Sequence, residues 1–384
     1  MTRVLLVSKP VEAPWNDSSK NLVRDLAGAL PGEGVEPTVL VRQGGVGPAG
    51  VRALAAYPAE RPALPAVAAQ GMAFARLLRQ GARGRIAPER GAGEARSDLW
   101  HFFFAPNPRG SGAARTLARA AGRPTVQTVC SEPPPGDPRP WLFADRVVVL
   151  SERVAHRLLR AGVAAERLVR IPPPVPDLAP LSPDARSEAR AHFQLPAAAP
   201  LVVYPGDLEF GRGAYRVLEA FARADVRDAQ LVMACRAKTA RARDAERELR
   251  QRAQDLAPGR VQWVGETRRI LALLGTADVV ALPTETLYAK MDYPLAVLEA
   301  MRMARAVIVA ADTAAAELEG GHPDGPALEV SAAEVDDLAG RLGRLLGDPS
   351  ARARLGARAR QRSEAFLPAR IAAAHAALYR EMLS

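Results

Sequence analysis

VVYPGDLEFGRGAYRVLEAF, residues 202–221, reads as a buried strand, a glycine-bearing turn and a helix in immediate succession. Gly206, Gly211 and Gly213 permit tight turning and close backbone approach between the two elements. A strand that runs straight into a helix is the repeating unit of a parallel sheet, because parallel neighbours need a crossover connection. The same unit recurs on both sides of this stretch.

Downstream, QLVMAC (230–235), VQWVG (261–265), VVALP (279–283), AVIVA (306–310) and ALEV (327–330) follow LVVYPG (201–206), with helical segments between them. Upstream, an equivalent series consists of RVLLVS (3–8), PTVLVR (37–42), LWHFFF (99–104), PTVQTV (124–129) and RVVVLS (146–151). Its first helix, over 18–30, carries Leu22, Leu26 and Leu30 at i, i+4 and i+8, a stripe suited to packing on a sheet. Residues 44–97, rich in Gly, Pro, Ala and Arg, read as loops around one or two helices with no further sheet. Prolines crowd both ends of a short helix in 171–200, the pattern of an interdomain linker. The expected fold is therefore α/β, with two Rossmann-like parallel-sheet domains: residues 1–175, a linker over 176–200, a second domain over 201–365, and a last helix over 366–384 that returns toward the first domain.

Composition agrees with this division. A chain of 384 residues suits two α/β domains, and 48% apolar with 24% charged residues describes a globular protein. Cys130 and Cys235 stand far apart, which supports neither a disulfide framework nor a zinc site. The opening MTRVLLVSKP is too short in its apolar run for a signal peptide, and no stretch reaches the length of a membrane span. A cytoplasmic protein is expected, with peripheral contact at a membrane surface allowed. The net charge of +10 comes from arginines spread along the chain without an aromatic-interleaved basic motif, so nucleic-acid binding is not expected.

Two segments can carry chemistry. In TETLYAKMDYPLAVLEAMRMARAVIVA (284–310), a strand end leads to a helix expected to start near Pro294, whose free first-turn amides are a seat for phosphate. Within 293–311 Glu299 is the only acid of a largely apolar run, so its carboxylate either meets a ribose diol or pairs with Arg302 at i+3. In the 202–221 segment, Arg212 stands just before the helix, where a guanidinium can fork two phosphate oxygens. The turn lacks G-x-G-x-x-G spacing, and its glycines are equally readable as structural.

Taken together these segments resemble the retaining glycosyltransferases of family 4, which have the two-Rossmann GT-B fold. The family pattern runs G-R-L-x-x-x-K-G, then P-S, then E-G-F-P-L-V-L-L-E-A-M-A, then G-x-P-V-V. This chain shows GDLEFGRG (206–213), PT (283–284), MDYPLAVLEAM (291–301) and ARAVIV (304–309). The similarity extends to 144–175 and to GDPSARARLGARARQRSEAF (347–366), and is weakest over 44–97. It implies two domains facing across a cleft, with a UDP- or GDP-sugar as donor, a hydroxyl acceptor, and no cofactor. It implies that Glu299 holds the nucleotide ribose, that Arg212, in the family's lysine position, holds the diphosphate with Gly206 of the same turn, and that the amides of Pro294 and Leu295 assist.

Departures accompany the match. The family's first glutamate falls on Met291, leaving the flanking Lys290 and Asp292 as substitutes, and its turn arginine falls on Asp207. The family's P-N-G-V-D is replaced by PPPVP at 172–176. On the acceptor side the loop KPVEAPWNDSSKN (9–21) offers Asn16, Ser18 and Ser19 as helix caps and Lys20 as a cation. Ser131 and Glu132 lie at a strand end on the same side. His101, between Trp100 and Phe102, reads either as a core histidine or as a group that touches the sugar; it is carried with Arg212, Lys290 and Asp292 as a catalytic candidate. No D-x-D triplet occurs, so metal-independent chemistry is expected. The main competing reading is a non-catalytic GT-B-like binding protein, with Met291 and Asp207 marking a degenerate donor site; a sugar-nucleotide epimerase is the second.

Overall fold

The computed structural model describes the chain except residues 61–65, 83–96, 105–107, 289 and 321–323. Two compact units emerge. The first comprises residues 1–174, 289–291 and 366–384, and the second residues 175–288 and 292–365.

In the first unit β1 (Thr2–Val7), α1 (Ser18–Ala29), β2 (Val35–Arg42), β3 (Arg52–Tyr57), α2 (Ala66–Ala82), β4 (Leu99–Phe104), α3 (Pro108–Ala121), β5 (Thr125–Val129), β6 (Arg146–Val149), α4 (Glu152–Arg160) and β7 (Leu168–Arg170) follow in chain order. The strands form one parallel sheet in the order β3-β2-β1-β4-β5-β6-β7. β3 corrects the expectation that 44–97 holds no sheet. Its sequence, RALAAY, lacks the β-branched residues that mark strands, and as the edge strand it pairs with β2 alone.

The second unit contains α5 (Pro183–His192), β8 (Leu201–Tyr204), α6 (Gly213–Arg223), β9 (Gln230–Met233), α7 (Ala240–Leu256), β10 (Val261–Trp263), α8 (Ile270–Thr276), β11 (Val279–Leu282), α9 (Leu295–Arg302), β12 (Ala306–Ala310), β13 (Glu329–Ser331), α10 (Val335–Gly347) and α11 (Pro349–Ser363). Its sheet, also parallel, runs β10-β9-β8-β11-β12-β13. Strand order reverses between β8 and β11, the point at which doubly wound sheets open a crevice beyond their strand ends.

The stretch 176–200, expected to be a linker, groups with the second unit. α5 is fastened there because Arg186 and Arg190 reach Asp278, just ahead of β11, at 2.9 and 3.1 Å. The same carboxylate accepts the backbone N–H of Leu201 at 2.9 Å, so one acid ties α5 to two central strands.

The last helix, α12 (Pro368–Leu383), groups with the first unit. Tyr379 of this helix is fully buried, and its hydroxyl lies 2.7 Å from Nδ1 of His101 in β4.

Candidate functional site

The two segments singled out in the sequence meet at the reversal point of the second sheet. The turn after β8 and the loop after β11 are joined by a hydrogen bond from the Glu285 N–H to the Gly211 carbonyl, 2.8 Å. Arg216, buried on α6, adds a second joint by donating to the carbonyls of Pro283 at 3.0 Å and Ala332 at 2.7 Å.

The glycines of this turn are fixed by crowding. A Cβ on Gly211 would stand 2.1 Å from Thr284 Oγ1, and one on Gly206 would stand 2.1 Å from the Tyr204 ring. One on Gly213 would stand 2.8 Å from the Tyr204 hydroxyl. Tyr204 itself is fully buried; its hydroxyl donates to the Asp207 carbonyl at 2.8 Å and accepts the Asp207 N–H at 3.2 Å. Burial raises this phenol well above its ordinary range and keeps it a neutral donor. Sequence reasoning missed Tyr204 and Arg216, and met Thr284 only as part of the PT motif without assigning it a task. The available signal was a tyrosine ending an apolar strand, since a buried tyrosine hydroxyl requires a partner.

Asp207, where the resembled family has an arginine, has a structural task. Its Oδ1 accepts the N–H groups of Glu209 at 2.7 Å and Phe210 at 2.8 Å, an Asx-type turn that holds the residues leading to Arg212. Arg212 sits at the N-cap of α6 with φ 49°, directly after Gly211 at φ 72°. A side-chain-bearing residue in the left-handed region is strained, and here no side-chain capping bond compensates. The guanidinium is exposed and makes no hydrogen bond or ion pair among the described residues; it lies 6.0 Å above the Tyr215 ring.

On the β11 side, the N-cap of α9 is Pro294 and the first helical residue is Leu295, one position later than expected. The amides of Val297 and Leu298 turn back to the Pro294 carbonyl, whereas those of Leu295 and Ala296 bond to no described residue. Pro294 has no N–H, so of the two expected amides only that of Leu295 is a donor. Glu299 lies on the buried side of α9, 9% exposed. The anticipated alternative, pairing with Arg302, is not what forms: the Arg302 guanidinium bonds to Asp177, Ser363 Oγ and the Arg360 carbonyl. Asp292 is 1% exposed in the second unit, while Lys290 and Met291 group with the first.

The first unit's candidates are mostly engaged in structure. His101 is fully buried, with Nδ1 at 2.7 Å from the Tyr379 hydroxyl and Nε2 at 2.7 Å from Thr128 Oγ1. Its ring packs 4.0 Å from that of Phe103. Burial, reinforced by His375, holds its pKa well below the usual histidine range. Both ring nitrogens are consumed in the core, so the catalytic assignment of His101 is corrected to the core-histidine alternative.

Asp17, rather than Asn16, Ser18 or Ser19, caps α1, with Oδ1 accepting the N–H groups of Ser19 at 3.0 Å and Lys20 at 3.2 Å. Burial alone would raise this carboxyl, but Lys9 and Ser19 hold it below the ordinary range. Lys20 donates to the carbonyls of Glu12 at 2.7 Å and Pro14 at 2.9 Å and so braces the loop after β1. Asn16 is exposed and Ser131 is buried. Glu132 pairs with Arg157 at 3.0 Å. Among the described residues no group of His, Cys, Asp and Glu is arranged to hold a metal ion, and no helix is long and apolar enough to cross a membrane.

Residues 199–348 match the family model described as glycosyl transferases group 1, and residues 20–177 match that of Glycosyltransferase Family 4. No curated protein matches the chain in sequence. Among solved structures, HepE of Anabaena in complex with UDP and glucose is similar with a TM-score of 0.75 at 17% identity, over 99% of each chain. Sucrose-phosphate synthase of Thermosynechococcus elongatus is similar with a TM-score of 0.76 at 18% identity, over 100% of this chain and 99% of its own. A glycosyltransferase of Rickettsia africae follows at 0.72 and 15%, over 100% and 98%. Identity this low carries the fold, and the two family models carry the activity: the protein is a glycosyltransferase of the GT-B fold.

Proposed function

We propose that the protein transfers a hexose from a UDP- or GDP-sugar to a hydroxyl acceptor, with retention of configuration and without a catalytic metal. The observation that carries this reading is the exposed Arg212 guanidinium, without a hydrogen bond or ion pair among the described residues, held at the head of α6 in a turn clamped to the β11 loop. Departure of a nucleoside diphosphate builds negative charge on its phosphate oxygens. Arg212 and the unengaged amides of Leu295 and Ala296 would stabilise that charge without reorganising. Lys290 is proposed as an additional cation and Asp292 as a contact to the donor sugar. Glu299 would accept the two ribose hydroxyls, the task that the resemblance to the retaining family gives this position and one that suits a mostly buried carboxylate. HepE, similar in fold, has been seen with UDP and glucose, which makes UDP-glucose the first donor to try. Retention rests on the resemblance to the retaining family.

Calorimetric titration with UDP and GDP, followed by donor turnover with hydroxyl acceptors, tests the reading. Wild-type protein should bind one nucleotide, and Glu299→Gln should weaken that binding about tenfold, the worth of one charge-assisted hydrogen bond. Unimpaired turnover in Arg212→Ala would remove the proposed leaving-group role. Nucleotide binding without turnover of any donor would favour a degenerate site instead.

A further inference from the structure

A pocket of about 530 Å³ opens at the outer edge of the second sheet, away from the strand ends that carry Arg212. Gln230 opens β9 and Val261 opens β10, so the pocket reaches the amino ends of strands whose carboxyl ends face the donor turn's side of the sheet. Its cause is visible in α7. The residues that α7 turns to it, Arg250, Ala253, Gln254 and Ala257 just past its end, recur at i, i+3, i+4 and i+7, where a packed helix normally carries large apolar side chains. Two alanines there cannot fill the space beside β10.

The lining is chemically distinctive. Gln194, Gln230, Gln254 and Gln262 all contribute, together with Trp263 and Arg250. The side-chain amides of Gln194, Gln230 and Gln254 make no hydrogen bond among the described residues, and neither does the Trp263 indole N–H. Gln262 uses only its Nε2, toward the Phe193 carbonyl, and keeps its Oε1 unengaged. The one cation, Arg250, is already paired with Glu246 at 2.7 Å and lies 4.7 Å over the Trp263 ring. Among the described residues no acid lines the pocket.

Amides that each both donate and accept match vicinal hydroxyl pairs, and the half-exposed Trp263 indole, with Arg250 over its ring, adds an N–H donor and apolar contact for a pyranose ring. A neutralised cation and the absence of acids give no purchase on a phosphate or a metal. We propose that this pocket is a second, non-catalytic carbohydrate site that takes a neutral oligosaccharide. It would hold a stretch of acceptor or product chain apart from the reacting end. Oligosaccharide binding is inferred from the pocket's own chemistry alone, and its use in holding acceptor or product rests on the donor reading.

The test is calorimetric titration of the full chain with maltohexaose, cellohexaose and β-1,4-mannohexaose. At least one should bind with a Kd on the order of 0.1–1 mM. Trp263→Ala should weaken binding tenfold or more, and Gln254→Ala, at an exposed position, a few fold. Arg212→Ala should leave it unchanged, and excess UDP should not compete. Absence of binding by all three sugars overturns the proposal. So does binding that UDP displaces, or binding insensitive to Gln254→Ala in a variant whose thermal unfolding matches the wild type.

Discussion

Glu285 gives its backbone N–H to the carbonyl of Gly211 at 2.8 Å, so the loop that follows β11 is bonded to the turn that follows β8 one residue before the strained Arg212. The geometry of the proposed donor turn is thereby set from two strand ends at once. Gly211 is the position with least freedom: at φ 72° only glycine is unstrained, and the space its Cβ would need belongs to Thr284 Oγ1. Gly211→Ala should cost about 1–3 kcal/mol and displace the Glu285 bond. Thermal unfolding together with donor turnover measures it, and loss of turnover well beyond the loss of stability is the expected result.

Arg212 separates stability from activity. Its left-handed backbone costs about 1–2 kcal/mol relative to glycine. Arg212→Gly should therefore raise the melting temperature while turnover falls by about 10²-fold, the scale of losing one charge-stabilising group. Arg212→Lys should recover part of the rate and none of the stability. If Arg212→Gly proved less stable than the wild type, the backbone strain would have been misread.

Arg216 is a positioning residue for the same turn. Its buried guanidinium satisfies the Pro283 and Ala332 carbonyls, and Arg216→Leu would leave both without that partner, at a cost of about 2–4 kcal/mol. With the clamp gone, donor KM should rise more than kcat falls. Arg216→Lys, which can reach one carbonyl but not fork to two, should fall between. Equal loss in kcat and KM effects across both variants would argue for a purely structural role.

These particulars show where the sequence was legible. Strands rich in Val, Ile and Leu declared themselves, and the restart at LVVYPG marked the second sheet. RALAAY did not, because an edge strand of alanines carries no β-branched signature. The turn could be located from its glycines and Arg212, but the work of Asp207 could not, since two backbone amides claim its carboxylate only once the chain is folded. His101 illustrates the same limit. A histidine in an aromatic strand is compatible with core or site, and only the hydroxyls of Tyr379 and Thr128, distant in sequence, decide between them.

Those histidines lead to a pH prediction for the first unit. His101 and His375 lie buried with ring centroids 5.2 Å apart, and both are held neutral, His375 by burial that lowers its pKa to about 3. In the unfolded chain each titrates near 6.5, so below that pH the unfolded state binds protons that the folded state refuses. Stability is then fully present above pH 6.5 and is lost as pH falls toward the folded values, by up to about 1.4 kcal/mol per pH unit for each histidine. Between pH 6.5 and 5, where ordinary carboxylates stay ionised, chemical denaturation should show this slope. His375 Nδ1 has no hydrogen-bond partner among the described residues, so His375→Leu forfeits none there and should roughly halve the slope while stability at pH 7 holds or rises. A slope unchanged in that variant would mean that acid sensitivity in this window arises elsewhere.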